Sequence, residues 1–228
     1  MPAVPIRTSA GAQIVNAVGD VGTFGLRVLS SGADYALTCG HVVAPPSIQD
    51  PRGEAIQCAD GLFGQVADWT PFTNSYNTTD AALIKPALPN WVSNEPLNLS
   101  ADPKWMRTLD EFNAFMHAPD QDWNVEIWSN RLPGGEPIRG SIEDVFVQSD
   151  NKKFAFDPSG TREYFFAPIL GYRAPVVLGD SGAAVVHTKS RTVLGLHFAI
   201  DTNSGLGFCI LFPCILDSFS TYKLTVPG

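Results

Sequence analysis

The segment Gly179-Asp180-Ser181-Gly182 places a serine between two glycines, directly before a short apolar stretch. This arrangement predicts a tight loop that leads into a strand, because glycine adopts the backbone conformations that sharp turns require. Glycines on both sides of a serine also allow backbone N–H groups to converge beside its hydroxyl. Ser181 is therefore the first candidate functional residue.

His41 and Asp80 supply the two side chains that would make a serine hydroxyl an effective nucleophile. His41 lies just past a predicted strand, and Asp80 is the first residue of another predicted strand further along the chain. A neutral imidazole can accept the hydroxyl proton, and a carboxylate on the other ring nitrogen fixes the tautomer and stabilises the imidazolium. The three side chains form a candidate catalytic triad, in which Asp60 and Asp68 stay open as alternatives to Asp80.

Many short strands separated by turns predict an all-β protein. Gly and Pro number 20 and 18 among the 228 residues, and strand-like stretches recur about every 8–12 residues. Residues 24–29 and 35–38 flank a turn-forming cluster, which predicts a hairpin. One amphipathic stretch, 102–117, predicts a helix that connects two halves of similar size. The pattern is typical of two antiparallel barrels or sandwiches.

Charge and hydropathy exclude several classes of partner. The 23 acidic residues outnumber the 15 Lys and Arg, which gives a formal charge of −8, so we expect no nucleic-acid partner and no membrane partner. The longest apolar run, 208–216, is too short for a membrane span. The N-terminus does not match a signal peptide, so we expect a cytoplasmic protein.

Metal and cofactor sites are not predicted. The chain has no C-x-x-C pair and four histidines only, a combination that fits no common zinc pattern. We expect no metal and no cofactor. Cys209 and Cys214 flank an apolar run and are predicted to be buried thiols, with a disulfide between them as the alternative.

The three motifs, in the order His, Asp, Ser, resemble those of the trypsin-like (chymotrypsin-fold) serine peptidases. His41 and Asp80 are 39 residues apart, and Ser181 follows 101 residues later. The likeness covers roughly residues 20–220 and is greater to the bacterial and viral-type domains than to the animal digestive enzymes. Two departures from the animal pattern are Cys39, which precedes the histidine instead of following it, and Ala183, which stands where those enzymes have a second glycine.

The resemblance implies two antiparallel Greek-key β-barrels with the active site in the cleft between them. An N-terminal barrel over 14–98 would carry the histidine and the aspartate. A connector over 99–120 would contain the one helix. A C-terminal barrel over 121–228 would carry the serine and the pocket for the P1 side chain.

The resemblance also implies a serine endopeptidase that hydrolyses peptide bonds through an acyl-enzyme. Ser181 would be the nucleophile, His41 the general base and Asp80 the residue that orients the imidazole. The backbone N–H groups of Gly179 and Ser181 would form the oxyanion hole. No cofactor is implied.

The same likeness suggests which residues bind the substrate. Pro175 stands where the family has the residue at the base of the P1 pocket, so a carboxylate for Arg or Lys is absent. Gly195-Leu196-His197, followed by Phe198 and Ala199, resembles the segment of glutamyl endopeptidases and viral 3C-type proteases in which the histidine binds a Glu or Gln side chain. The alternative for His197 is a buried strand histidine bonded to a backbone carbonyl.

Three functions stay open on the residues alone. An endopeptidase would take a protein or peptide in extended conformation, which adds as a strand to the cleft. A pseudo-peptidase on the same fold would bind such a peptide without cutting it. An esterase could use the same triad, although the usual G-x-S-x-G elbow is absent. The oligomeric state is not predicted.

Overall fold

A computed structural model describes residues 8–44, 49–59, 61–73, 76–99, 106–119, 122–129, 135–146, 153–156 and 163–227. Within these ranges the chain folds into 18 strands and three short α-helices, which confirms the predicted all-β class. None of the helices in this part of the chain has the length and apolar character to cross a membrane.

Seven strands of the first half form one antiparallel sheet, which we call the N-terminal sheet. Its order is β3-β2-β6-β7-β9-β5-β4. It curls without closing, so the first of the two predicted barrels is an open half-barrel. The strands of this half are β1 (Thr8–Ser9), β2 (Gln13–Val15), β3 (Val21–Thr23), β4 (Leu26–Ser30), β5 (Ala33–Thr38), β6 (Ala55–Cys58), β7 (Gly61–Trp69), β8 (Tyr76–Asn77), β9 (Ala82–Pro86) and β10 (Val92–Ser93).

The predicted hairpin is confirmed as β4–β5. Its turn consists of Ser31 and Gly32, whose φ angles are 49° and 82°. Two successive positive φ angles belong to the type I′ turn, whose twist suits a tight hairpin. In the sheet β5 lies beside β9, with Thr38 opposite Ala82. The end of β5 and the start of β9 therefore meet at one edge.

Six strands of the second half close into a barrel, which we call the C-terminal barrel. Their order is β11-β12-β15-β18-β17-β16, and all their pairings are antiparallel. The strands of this half are β11 (Asn124–Trp128), β12 (Ile138–Phe146), β13 (Lys153–Ala155), β14 (Glu163–Phe166), β15 (Ile169–Arg173), β16 (Ala184–His187), β17 (Thr192–Asp201) and β18 (Leu206–Leu211).

The two strands outside the barrel, β13 and β14, form a hairpin that joins the two halves. β14 pairs in parallel with β8, with Phe165 opposite Tyr76 and Phe166 opposite Asn77. The resulting sheet has the order β13-β14-β8. Main-chain hydrogen bonds therefore tie this hairpin of the second half to the first half.

The helices are α1 (Gly40–Val43), α2 (Leu109–Met116) and α3 (Phe212–Ser218). The helix predicted over 102–117 is confirmed over Leu109–Met116 and was wrong at 106–108 and at 117, which are not helical; 102–105 lie outside the described residues. The helix begins after Thr108 because the Thr108 hydroxyl accepts a hydrogen bond from the Glu111 N–H at 3.1 Å, and the Glu111 carboxylate accepts one from Thr108 N–H at 3.3 Å. α3 was not predicted; Pro213 lies in its first turn, where no N–H partner is needed.

The hydrophobic core is shared between the halves. The larger of two clusters contains Phe24 of the N-terminal sheet together with Leu196 and Phe198 of the C-terminal barrel. The limits 14–98, 99–120 and 121–228 stay a prediction. All four cysteines are free, and Cys209 and Cys214 are buried, which confirms the predicted thiols over the disulfide.

Candidate active site

His41 and Asp80 meet because their strands are neighbours. His41 lies on α1, directly after β5, and Asp80 lies just before β9. His41 Nδ1 is 2.5 Å from Asp80 Oδ2, and the His41 backbone N–H donates to Asp80 Oδ1 at 2.9 Å. The Asp80 carboxylate is fully buried, whereas the imidazole is 18% exposed. A Cβ on Gly40 would lie 2.9 Å from Asp80 Oδ1, so glycine permits this close approach.

Asp68, one of the two alternative aspartates, is bonded elsewhere. Asp68 lies on β7 and accepts a hydrogen bond from the Trp69 N–H at 3.0 Å. Asp60 lies outside the described residues. Of the three aspartates that the sequence offered, Asp80 is therefore the one that the fold brings to the imidazole.

Cys39 lies beside this pair and raises the question of a metal. Donor atoms of Cys39, His41 and Asp80 lie within 4.8 Å of one another. However, both Asp80 oxygens are already bonded to His41. Burial, reinforced by the charge of Asp80, raises the pKa of the Cys39 thiol well above its usual value. A protonated thiol is a poor metal ligand, so the cluster suits a hydrogen-bonded arrangement better.

Contacts with the N-terminal sheet fix the loop that carries Ser181. Thr23 N–H donates to the Ser181 carbonyl at 2.8 Å, and the Thr23 hydroxyl donates to the Gly179 carbonyl at 2.9 Å. Gly182 has a φ of +95°, and a Cβ there would lie 2.2 Å from the Thr23 carbonyl and 2.3 Å from Thr38 Oγ1. The glycine after the serine thus lets the loop pack directly against the other half.

Ser181 and His41 line one cleft but are not hydrogen-bonded to each other. Within the described residues, the Ser181 hydroxyl donates to the Phe198 carbonyl instead, at 3.4 Å. That distance indicates a weak bond. Hydrogen bonds between a nucleophile and its base are often long in the absence of substrate. The structure therefore brings the three predicted triad residues together and leaves the last contact, between serine and imidazole, unformed.

The backbone around Ser181 offers two free donors. In the described part of the chain, neither the Gly179 N–H nor the Ser181 N–H has a hydrogen-bond acceptor. Asp180 shapes the loop between them. Its carboxylate accepts from the Ser129 hydroxyl at 2.7 Å and from the Val177 N–H at 2.8 Å. A buried carboxylate held by these bonds keeps the turn in place, and the two N–H groups stay available for a developing oxyanion.

His197 lies on β17 and is almost completely buried, with 1% of its surface exposed. Its Nδ1 is 2.6 Å from the hydroxyl of Tyr172, which lies on β15. Burial lowers the pKa of His197 to about 4, although the charge of Asp180 and a hydrogen bond to the Phe208 backbone act in the opposite direction. Burial also raises the pKa of Tyr172 well above its usual value. Both side chains are therefore uncharged at neutral pH.

The cleft has a volume of about 650 Å³. His41, Ser181 and Gly179 line it, and the P1-pocket candidates His197, Phe198 and Ala199 line it as well. The hairpin residues 153–156 and the exposed Leu178 complete its walls. Pro175, which the resemblance places at the base of the P1 pocket, is exposed and does not line this cleft.

Phe156, directly after β13, was not singled out from the sequence. Its ring stacks on the His41 imidazole, with 4.6 Å between the centroids and 26° between the planes. The residue is 115 positions away from the histidine in the chain, and no local pattern predicts such a contact. Ser129 and Tyr172 were also missed. Tyr172 could have been found from its place in a strand with an apolar, aromatic character.

Comparison with known proteins gave matches to solved structures only. No family model matches the sequence, and no curated protein does. A protease from Nocardiopsis is similar over 97% of this chain and 100% of its own, with a TM-score of 0.62 and 15% identity. A glutamic-acid-specific serine protease, reported to use a histidine triad in substrate binding, is similar over 96% and 100%, with a TM-score of 0.61 and 16% identity.

An HtrA-type protease, AlgW, solved with a decapeptide, is similar over 89% of this chain and 52% of its own, with a TM-score of 0.52 and 19% identity. At such identities the likeness establishes the fold and not the activity. The resemblance to chymotrypsin-fold serine proteases, mostly bacterial, is thus confirmed for the fold.

Proposed function

We propose that the protein is a serine endopeptidase with Ser181 as nucleophile, His41 as general base and Asp80 as the residue that orients the imidazole. The observation that carries the proposal is the buried Asp80 carboxylate bonded twice to His41, in a cleft that also holds Ser181. A buried carboxylate on Nδ1 keeps the other ring nitrogen free to accept a proton.

The chemical steps follow from this arrangement. The Ser181 hydroxyl turns from the Phe198 carbonyl to His41 and gives its proton to the imidazole while Oγ attacks the substrate carbonyl carbon. The N–H groups of Gly179 and Ser181 stabilise the resulting oxyanion. The imidazolium then protonates the leaving amine, and the C–N bond breaks to give an acyl-enzyme and a free amine. Water, deprotonated by His41, hydrolyses the ester and restores the serine.

An open strand edge supports an extended peptide as the substrate. From Phe198 to Ile200, β17 pairs with β18 on one side only, since its described pairing with β16 ends at Leu196. This edge faces the cleft that contains Ser181. An extended chain can add to such an edge through main-chain hydrogen bonds. The decapeptide bound to the HtrA-type protease supports the same class of ligand.

We further propose that His197 selects glutamine, and less readily glutamate, at P1. If the Tyr172 hydroxyl, 2.6 Å away, donates to Nδ1, the hydrogen of the neutral ring is on Nε2. A P1 amide oxygen would share the ring N–H that the Phe208 backbone accepts in the free protein. A glutamate carboxylate would enter the same buried, uncharged pocket at a desolvation cost. The glutamic-acid-specific neighbour supports a histidine-based P1 site in this fold.

Two observations favour a second candidate, a peptide-binding protein without hydrolytic activity. The Ser181 hydroxyl is bonded to Phe198 and not to His41, and Phe156 covers a face of the imidazole. If the serine cannot reach the base, the cleft would still hold a peptide on the β17 edge.

A fluorophosphonate probe tests the first candidate against the second. We expect labelling of the wild-type protein and its loss in both Ser181→Ala and His41→Ala, with His117→Ala, an exposed histidine on the connector, as the matched control. In a peptide library, we then expect faster cleavage after Gln than after Glu. A folded wild-type protein that binds library peptides and is not labelled would reject the endopeptidase and favour the binding protein.

A further inference from the structure

Phe156 is held against the candidate base by aromatic residues from both halves. Its ring centroid lies 5.1 Å from that of Phe72, 5.8 Å from that of Phe166 and 6.2 Å from that of Phe198. Phe72 belongs to the first half and Phe166 to the hairpin that pairs with β8. Aromatic contacts of this kind add favourable energy to that gained by burying each ring. We therefore expect the surrounding rings to hold Phe156 in place.

The stacked ring occupies a defined side of the cleft. Phe156 is half-buried and lines the same cavity as Ser181 and His197. It covers the imidazole face of His41 at a centroid distance of 4.6 Å. The ring therefore fills space between the candidate base and the open edge of β17.

An extended substrate would meet Phe156 with its P2 side chain. Successive side chains of a strand point to opposite faces. If the chain pairs with the edge at Phe198–Ile200 and P1 enters the pocket of His197, then P2 points the other way, towards His41. That side carries the Phe156 ring, whose centroid lies 4.6 Å from that of the imidazole, so we expect a large P2 side chain to collide with it.

We propose that Phe156 determines specificity by restricting P2 to glycine, alanine and similarly small residues. The inference rests on the proposed endopeptidase function and adds a second selected position to it. Phe156 acts through size, because its ring presents no hydrogen-bonding group. Removal of the ring should open the space beside His41 and admit larger apolar side chains.

Labelling rates test this inference separately from the function on which it rests. The test uses two peptidyl phosphonates that share a glutamine-like P1 group and differ only at P2, which is Gly in one and Leu in the other. A small fluorophosphonate without a peptide serves as the reference. In the wild-type protein we expect the Gly probe to react at least about tenfold faster than the Leu probe. Phe156→Ala should remove most of this preference, and Phe156→Leu should give an intermediate value.

Phe165→Ala is the matched control, since Phe165 lies on the same hairpin and its ring contacts that of Tyr76 instead of His41. It should keep the wild-type preference. Equal Gly-to-Leu ratios in wild type and Phe156→Ala, with the small probe reacting in both, would overturn the role of Phe156 and leave the nucleophile intact. No reaction of folded wild type with the small probe would overturn the endopeptidase and this inference together.

Discussion

The N-terminal sheet and the C-terminal barrel hold their parts of the site by different means. In the sheet, His41 and Asp80 come from neighbouring elements and are joined by two hydrogen bonds. In the barrel, Ser181 sits on a loop whose position depends on Thr23 of the other half. The His41–Asp80 pair is complete within one half, whereas the loop of the serine is held by contacts with the other half.

This difference shows which part of the candidate site is incomplete. His41 and Asp80 are bonded within one half. The contact between halves that the proposed mechanism needs, from Ser181 to His41, is not formed among the described residues. Gly182 packs against the other half, and Phe156 stacks on His41, so we expect both residues to affect how the serine and the base meet. Substitutions within the pair, in the loop and in the pocket should have distinct consequences.

The largest effect is expected from Asp80→Asn. An amide facing Nδ1 favours the wrong imidazole tautomer, and we expect kcat/KM for a glutamine peptide to fall about 10⁴-fold. Steady-state hydrolysis measures this loss. Asp68→Asn is the control, because Asp68 was the alternative partner for His41 that the sequence left open. Equal losses in the two variants would contradict the assignment of Asp80.

Gly182→Ala should break the contact between the halves. The added Cβ would lie 2.2 Å from the Thr23 carbonyl at a positive φ, so we expect the free energy of unfolding to fall by about 3 kcal/mol. Gly32 also has a positive φ but nothing within 4 Å of an added Cβ, and Gly32→Ala should cost only about 1 kcal/mol. Urea unfolding compares the two, and similar losses would argue against a tight fit of the serine loop.

His197→Gln should change how stability depends on pH. The folded-state pKa of His197, about 4, lies below its ordinary value of 6.5. The unfolded chain therefore binds more protons between these values, and the free energy of unfolding decreases as the pH falls through this window. From pH 7.5 to pH 5, this histidine should account for a loss of about 2 kcal/mol.

Urea unfolding at both pH values should show that loss in the wild type and in His117→Gln, whose ring is exposed. The loss should be correspondingly smaller in His197→Gln. The same dependence in all three proteins would mean that the buried histidine does not titrate as its surroundings indicate.

The smallest expected effect is a change in the P1 preference of the pocket that contains His197. The ratio of kcat/KM for a P1 Gln peptide to that for a P1 Glu peptide should fall as the pH is lowered from 8 to 5. A glutamate side chain has an ordinary pKa of about 4.3, so its neutral form, which suits an uncharged pocket, becomes more common. The ratio cancels the titration of the shared catalytic groups. A fall centred near pH 6.5, the ordinary pKa of histidine, would indicate a charged imidazole that attracts glutamate and would contradict a neutral His197.

The sequence was informative where chemistry depends on local segments. The three motifs, the Ser31-Gly32 turn and the all-β class follow from short-range patterns. The structure confirms the turn and the class, and the roles of the three motif residues stay a prediction. The start of α2 could also have been found, because Thr108 and Glu111 have the spacing of a capping box. The open edge of the N-terminal sheet and the stack of Phe156 on His41 depend on tertiary packing, which no local pattern records.

The most direct test of the account is to trap and map the acyl-enzyme. The protein would be mixed with a glutamine peptide ester, quenched in acid within the first turnovers, and analysed by intact mass and peptide mapping. We expect the acyl mass on the peptide that contains Ser181, and its absence in Ser181→Ala and His41→Ala. An acyl group on another residue, or none on a folded protein that binds the ester, would contradict the assignment of Ser181 as an activated nucleophile.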